Sequence, residues 1–142
     1  MQIDDMDRQL IALLAENARA PVAKLARATG LARTTVQARL DRLERGGAIG
    51  GYTIRKGPGL TPALTASVLV SVEPRAEPAV IQRLRALPGV MRATTTSGRT
   101  DLLVEVTAET TEALDALLDR IGEAKGVRSS ESLIHLTTKI AR

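Results

Sequence analysis

The chain has 142 residues, 44% of them hydrophobic, with one Tyr as its sole aromatic residue, one His and no Cys. That is enough for one domain or two small ones with real cores, and it excludes disulfides, thiolate metal sites and a histidine-based metal cluster. The formal net charge of +4 is confined: residues 1–56 hold ten Lys/Arg against six Asp/Glu, while residues 57–142 hold ten of each.

Between Asn17 and Lys56 the balance sharpens to nine basic residues against two acidic ones. Positive charge held in one segment of an otherwise neutral chain favours a polyanion partner. No run approaches the roughly 18 apolar residues of a membrane span. The start MQIDDMDRQ has no apolar signal region. The expectation is a soluble cytoplasmic protein with no membrane partner.

In chain order, Asp4 can cap a helix, and Asp7 supplies an acidic first turn. Met6, Leu10, Leu13 and Leu14 keep helical spacing, which predicts a helix over 5–16. Ala20-Pro21 opens a second helix, since proline suits the first helical position. Leu25 and Ala26 form its inner face, and the small Ala26 lets a partner helix cross closely. Gly30 reverses the chain. Leu31 anchors the start of a third helix, in which Val36, Leu40 and Leu43 recur at helical spacing until Gly46-Gly47 closes it. Opposite that stripe lie Arg33, Thr34, Gln37, Ala38 and Asp41. Short polar groups near a helix start, with arginines further along, suit a helix entering a DNA major groove. The segment reads as a helix-turn-helix. Residues 49–54 read as an extended strand or small wing.

Two glycines and two prolines fall within residues 56–62, coinciding with the change in charge, and mark a boundary. The expected division is a DNA-binding domain over 1–56, a linker over 57–62 and a second domain over 63–142. Beyond the linker the period becomes 2. Ala66, Val68, Val70 and Val72 alternate with polar or outward positions. A helix over 78–87 carries Val80, Ile81, Leu84 and Leu87 and is stopped by Pro88-Gly89. Residues 90–96 are β-rich, and Ser97, Gly98, Arg99, Thr100 and Asp101 form a turn. Leu102, Val104 and Val106 alternate next. Thr110 or Thr111 caps a helix with Leu114, Leu117, Leu118 and Ile121 that ends near Gly126. A last strand runs over 127–138, with Ser132, Ile134 and Leu136 on one side and Leu133 and His135 on the other. The order β-α-β-β-α-β is ferredoxin-like, so the fold class is α+β. One sheet face is covered by its own helices. The other is expected to be apolar enough to need a second copy, through Val68, Val70, Val104 and Ile134 or their facing neighbours.

Several chemistries drop out. The chain has no phosphate loop of the GxxxxGK[ST] type, no GxGxxG and no HExxH. His135 has no visible orienting partner for general-base work, and Asp101 in a glycine-containing turn is explained by turn chemistry. Sheets of this order also bind RNA, but by stacking bases on aromatic side chains. Tyr52, the one aromatic residue, lies outside the sheet. An enzyme on this scaffold would need an acid–base pair that is not present. No cofactor and no metal are called for.

The early acidic cluster before DRQLIALL, the run LARATGLARTTVQARLDRLERGGAI followed by GY, and the later SGRTDLLVEV together resemble the Lrp/AsnC transcriptional regulators, over essentially the whole chain. The resemblance implies a winged N-terminal DNA-binding domain joined to a ligand-sensing βαββαβ domain that dimerises through its sheets. It also implies further assembly, to a tetramer or to four dimers in a ring, and a response to amino acids bound between dimers. Two positions depart from the pattern: Ala32 stands where the family carries a Ser cap, and Thr100 where an aromatic residue precedes the aspartate. The open position at Thr100 tilts the expected effector toward a polar or charged one.

Two readings remain. The first is a sequence-specific DNA-binding regulator of a pseudo-palindromic operator, responsive to a small molecule, an amino acid by resemblance. The second is a ligand-indifferent architectural DNA-binding protein on the same scaffold. For DNA, Arg33, Thr34 and Gln37 are assigned to base edges with Thr35 and Ala38 on the same surface, and Arg27, Arg39, Arg42 and Arg55 to phosphates. By resemblance, the effector is lined by Ser97, Gly98, Arg99, Thr100 and Asp101 together with Leu133, Ile134 and His135.

Overall fold

Two short carboxylates begin the first folded unit. The Asp7 N–H donates to the Asp4 carboxylate at 2.8 Å, and the Asp4 N–H donates back to the Asp7 carboxylate at 3.1 Å. This reciprocal box satisfies two of the donors that a helix start leaves orphaned. It opens α1 (Asp5–Glu16). The computed structural model describes residues 1–57, 59–60 and 63–141. It divides into two compact units, Met1–Gly57 and Pro58–Arg142. The linker read over 57–62 includes Pro58, Thr61 and Pro62, which lie outside the described residues.

In the first unit α1 is followed by α2 (Val22–Thr29) and α3 (Arg33–Arg45). Pro21 is the N-cap of α2, one position outside the helix. Gly30 ends α2 at φ 72°, a left-handed conformation that a side chain would strain. Leu10, Leu14, Leu25, Ala26, Val36 and Leu40 pack into one core, and Leu43 is fully buried as well. The stripe of α1 is offset from the expected one: Met6 is exposed and Asp7 takes the inward position. After α3 the N–H groups of Ala48 and Ile49 both donate to the Leu43 carbonyl. Tyr52 donates its hydroxyl to the Glu44 carboxylate at 2.6 Å. The strand or wing expected over 49–54 is not formed. A strand needs a neighbour for its backbone groups, and this unit is otherwise helical.

The second unit runs β1 (Leu64–Val72), α4 (Glu77–Arg85), β2 (Val90–Thr95), β3 (Leu102–Ala108), α5 (Thr111–Gly122) and β4 (Val127–Ile134). The sheet order is β2-β3-β1-β4, antiparallel throughout. This is the ferredoxin-like order. Ala66, Val68, Val70, Leu102, Val104 and Val106 face α4 and α5 and bury Val80, Leu84, Leu114, Leu117 and Ile121 against them.

Two elements are shorter than the periodicity suggests. α5 ends at Gly122 rather than near Gly126, and β4 ends at Ile134 rather than at 138. β4 pairs with β1 only as far as Ala66, opposite Ile134, two residues inside the start of β1 at Leu64. Beyond Ile134 one backbone bond remains, from the His135 N–H to the Thr65 carbonyl.

The open sheet face also differs from expectation. Val68, Val70 and Val104 are fully buried under the helices, and Ile134, opposite Ala66, shares their side. The open side carries Thr65, Ser67, Leu69 and Ser71 from β1, Leu103 and Glu105 from β3, Thr94 and Arg92 from β2, and Glu131 and Leu133 from β4. Three leucines among hydroxyls and charges make this face mixed rather than apolar. Strand alternation commits the valines to the helices and leaves their polar neighbours outside.

Candidate DNA-binding and effector sites

α3 separates its side chains by depth. Val36, Leu40 and Leu43 are buried, while Arg33, Thr34, Thr35, Gln37 and Ala38 are exposed along its N-terminal half. Ala32 gives the helix no side-chain cap, so its first N–H groups and the positive end of its dipole lie beside Arg33. Arg27 in the last turn of α2 and Arg55 beyond α3 are exposed too. Gln37 donates its side-chain amide to the Asp41 carboxylate one turn on, at 2.8 Å. An approaching base edge would have to replace that bond.

Two of the expected phosphate contacts are engaged inside the unit. One guanidinium nitrogen of Arg39 donates to the carboxylates of Asp4 at 2.7 Å and Asp7 at 2.8 Å. Arg42 donates to the other oxygen of Asp7 at 2.5 Å. Asp7 is the single buried charged residue among those described. Its burial pushes the carboxyl pKa up, but the Arg39 guanidinium, the Asp4 N–H and the Arg42 guanidinium outweigh that and hold it at about 2. The Arg39 hydrogen bond likewise lowers Asp4, and the two carboxylates raise Arg39. The sequence signal for the acidic half was the Asp-x-x-Asp spacing. Nothing local joined it to arginines more than thirty residues on.

The turn over 97–101 is tied to the sheet by its own groups. Thr96 donates its N–H to the Asp101 carbonyl at 2.9 Å and its hydroxyl to the Thr100 carbonyl at 2.8 Å. Asp101 donates its N–H to the Val70 carbonyl at 2.9 Å, and one of its carboxylate oxygens accepts the Val72 N–H at 2.8 Å. Asp101 therefore closes the end of β1. Ser97, Gly98 and Arg99 are exposed at the tip, and Gly98 sits at φ 118° with open space where a Cβ would be.

The remaining expected effector residues lie elsewhere. His135 is hydrogen-bonded through its two ring nitrogens to the Thr65 and Ser67 hydroxyls, at 2.8 Å each. It stands with Leu133 on the open sheet face, whereas Ile134 points to the helix side. The turn adjoins Val70 and Val72; His135 adjoins Thr65. Five to seven residue steps of β1 separate them, roughly 17–23 Å at ~3.3 Å per residue. One chain does not bring the two groups together. Ile134 instead lines a groove of about 430 Å³ with Leu64, Leu114, Leu118, Thr111, Glu112 and Asp115.

The helix-turn-helix and the βαββαβ unit both have close counterparts. Residues 3–44 match the AsnC-type helix-turn-helix domain, and residues 65–142 match the Lrp/AsnC ligand binding domain. This chain belongs to the Lrp/AsnC family of transcriptional regulators. It is 33% identical to the HTH-type transcriptional regulator Rv2324 of Mycobacterium tuberculosis, over 99% of this chain and 97% of that protein. E. coli AsnC superposes with a TM-score of 0.89 at 27% identity, over 100% of this chain and 97% of that one. The feast or famine regulatory protein Rv3291c of M. tuberculosis, complexed with L-methionine, superposes with a TM-score of 0.87 at 32% identity, covering 99% and 96%.

As a Lrp/AsnC regulator the chain pairs a DNA-binding helical unit with a ligand-binding sheet unit. The uncapped position at Ala32 and the Thr100 departure are both visible in place. Ala32 makes no cap bond, and Thr100 offers the turn its carbonyl. Among the described residues no helix is long and apolar enough to cross a membrane.

Proposed function

We propose that this regulator reads a pseudo-palindromic operator with the N-terminal half of α3. The observation that carries this reading is the exposed run Arg33, Thr34, Thr35, Gln37 and Ala38 opposite a buried apolar stripe. Arg33 is suited to guanine and Gln37, once released from Asp41, to adenine, each contact worth about 1–3 kcal/mol of discrimination. Arg27 and Arg55 supply phosphate contacts that add affinity without sequence preference. A palindrome needs two recognition helices related by a two-fold axis. The mixed open face of the sheet, with Leu69, Leu103 and Leu133 at its apolar positions, is the surface for a second copy. Assembly to a tetramer or octamer comes from repeating such contacts in the cytoplasm.

An amino acid is the proposed effector. Rv3291c, 32% identical, is complexed with L-methionine. In this chain the exposed turn offers the free oxygen of Asp101 to an ammonium, and the Gly98 backbone and Arg99 to a carboxylate. Because the turn and His135 lie at opposite ends of β1, a pocket using both requires more than one subunit. Titrating the DNA upstream of the protein's own gene, with and without each of the twenty amino acids, tests operator and effector together. A shifted affinity or assembly size with at least one amino acid supports the reading.

The architectural reading has one observation of its own in favour. One oxygen of the Asp101 carboxylate is already engaged by the Val72 N–H, as a purely structural turn requires. Calorimetry showing no heat with any amino acid would favour it.

A further inference from the structure

Arg39 and Arg42 lie at i and i+3 on one flank of α3, and Asp4 and Asp7 lie at i and i+3 at the start of α1. The four groups meet two against two. On this flank the carboxylates stand where the dipole of α1 is positive, which favours their charge. The rest of the hold on α3 is the apolar stripe Val36, Leu40 and Leu43. Apolar burial is strong but non-directional, so it fixes which face of α3 is inside better than it fixes rotation along that face. Charge-assisted hydrogen bonds carry the missing direction. Asp7 serves both jobs at once, closing the cap of α1 and receiving both arginines.

We propose that this cluster is a positioning device for the recognition helix: Asp7, with Asp4, sets the orientation in which Arg33, Thr34 and Gln37 meet DNA, and Arg39 and Arg42 act through it. The proposal rests on the assignment of the outer half of α3 to DNA. It reverses the expectation that Arg39 and Arg42 are phosphate contacts. It also gives the early acidic cluster a role in a unit whose partner is a polyanion, where free carboxylates would only repel.

The sign of one effect separates this from simple electrostatics. Asp7→Asn and Asp4→Asn each add one unit of positive charge to the DNA-binding unit. If charge alone mattered, both would tighten binding to all DNA. Positioning requires the opposite for the preferred sequence. The probe is a duplex enriched by the wild-type full-length protein from a random pool, compared with a scrambled duplex by fluorescence anisotropy. Circular dichroism at the assay temperature confirms the folded state.

Asp7→Asn should lower the preferred-to-scrambled affinity ratio about tenfold, the loss of one good base contact, and Asp4→Asn should lower it less. Arg39→Gln should lower the ratio with the salt slope of the scrambled duplex unchanged. A phosphate contact would flatten that slope by about one unit. Asp4 is half exposed, so Asp4→Asn keeps the test valid if Asp7→Asn does not fold. Wild-type protein that enriches no sequence overturns the DNA-reading assignment and the proposal with it. Wild-type protein that does enrich one, with an unchanged or higher ratio in the Asn variants, overturns the proposal alone.

Discussion

The helical and sheet units use charge in opposite ways. In the helical unit one carboxylate, Asp7, is buried and meets Arg39 and Arg42, with the half-exposed Asp4 beside them, while Arg27, Arg33 and Arg55 lie exposed on α2, α3 and the segment beyond. Among the described residues of the sheet unit the inside is wholly apolar, and the ion pairs, such as Arg92 with Glu105, lie on exposed surface where such pairs contribute little. The lesson is that net charge located the DNA-facing unit but did not say which arginines face DNA.

The largest effects should come from what the two units share. Leu10→Ala in the first and Leu84→Ala in the second each empty a fully or nearly fully buried site. Each should cost about 2–5 kcal/mol in urea unfolding. A cost below ~1 kcal/mol in either would mean that its core is not packed as described.

Acid should then separate the units. The Asp7 carboxyl at about 2 lies below its ordinary 3.8, so it binds protons less readily folded than unfolded. Its contribution is complete above pH ~4 and is lost as pH falls toward ~2. Unfolding midpoints followed over that window should fall more steeply for the wild type than for Asp7→Asn. Parallel curves would place the acid response elsewhere.

Asp101 sharpens the comparison from the other side, as a carboxylate used for its oxygen rather than its charge. Asp101→Ala strands the Val72 N–H and should cost about 1–3 kcal/mol. Asp101→Asn keeps an acceptor for that N–H and should stay within ~0.5 kcal/mol of wild type while abolishing any amino-acid response. Equal losses of stability in both variants would show that the charge matters to the fold. Ala32→Ser, which gives α3 the missing cap, should stabilise the helical unit by about 1 kcal/mol; no gain would mean that its first N–H groups are satisfied otherwise.

What the sequence showed clearly was local. The bounds of α1 follow from the Asp4 cap and the spacing of Leu10, Leu13 and Leu14, and β1 follows from Ala66, Val68, Val70 and Val72 on alternate positions. What it hid depends on distant partners. β4 ends opposite Ala66, two residues inside the start of β1, which no residue near Ile134 announces. The valines that looked available for a second copy, Val68, Val70 and Val104, are taken by α4 and α5. Asp101 read correctly as a turn residue, but its bond to Val72 crosses 29 positions. The Arg39–Asp7 pair crosses 32, and nothing near Arg39 in the sequence points to it, so the sequence reading places Arg39 on phosphates.

The most direct test of DNA reading by α3 compares Arg33 and Arg27, two arginines alike in exposure and different in place. Affinity for the enriched and scrambled duplexes is measured across a salt series for Arg33→Ala and Arg27→Ala. Arg33→Ala should lower the preference for the enriched duplex by about 1–3 kcal/mol, while Arg27→Ala should weaken both duplexes alike and flatten the salt slope by about one unit. An unchanged preference in Arg33→Ala would contradict DNA reading by α3.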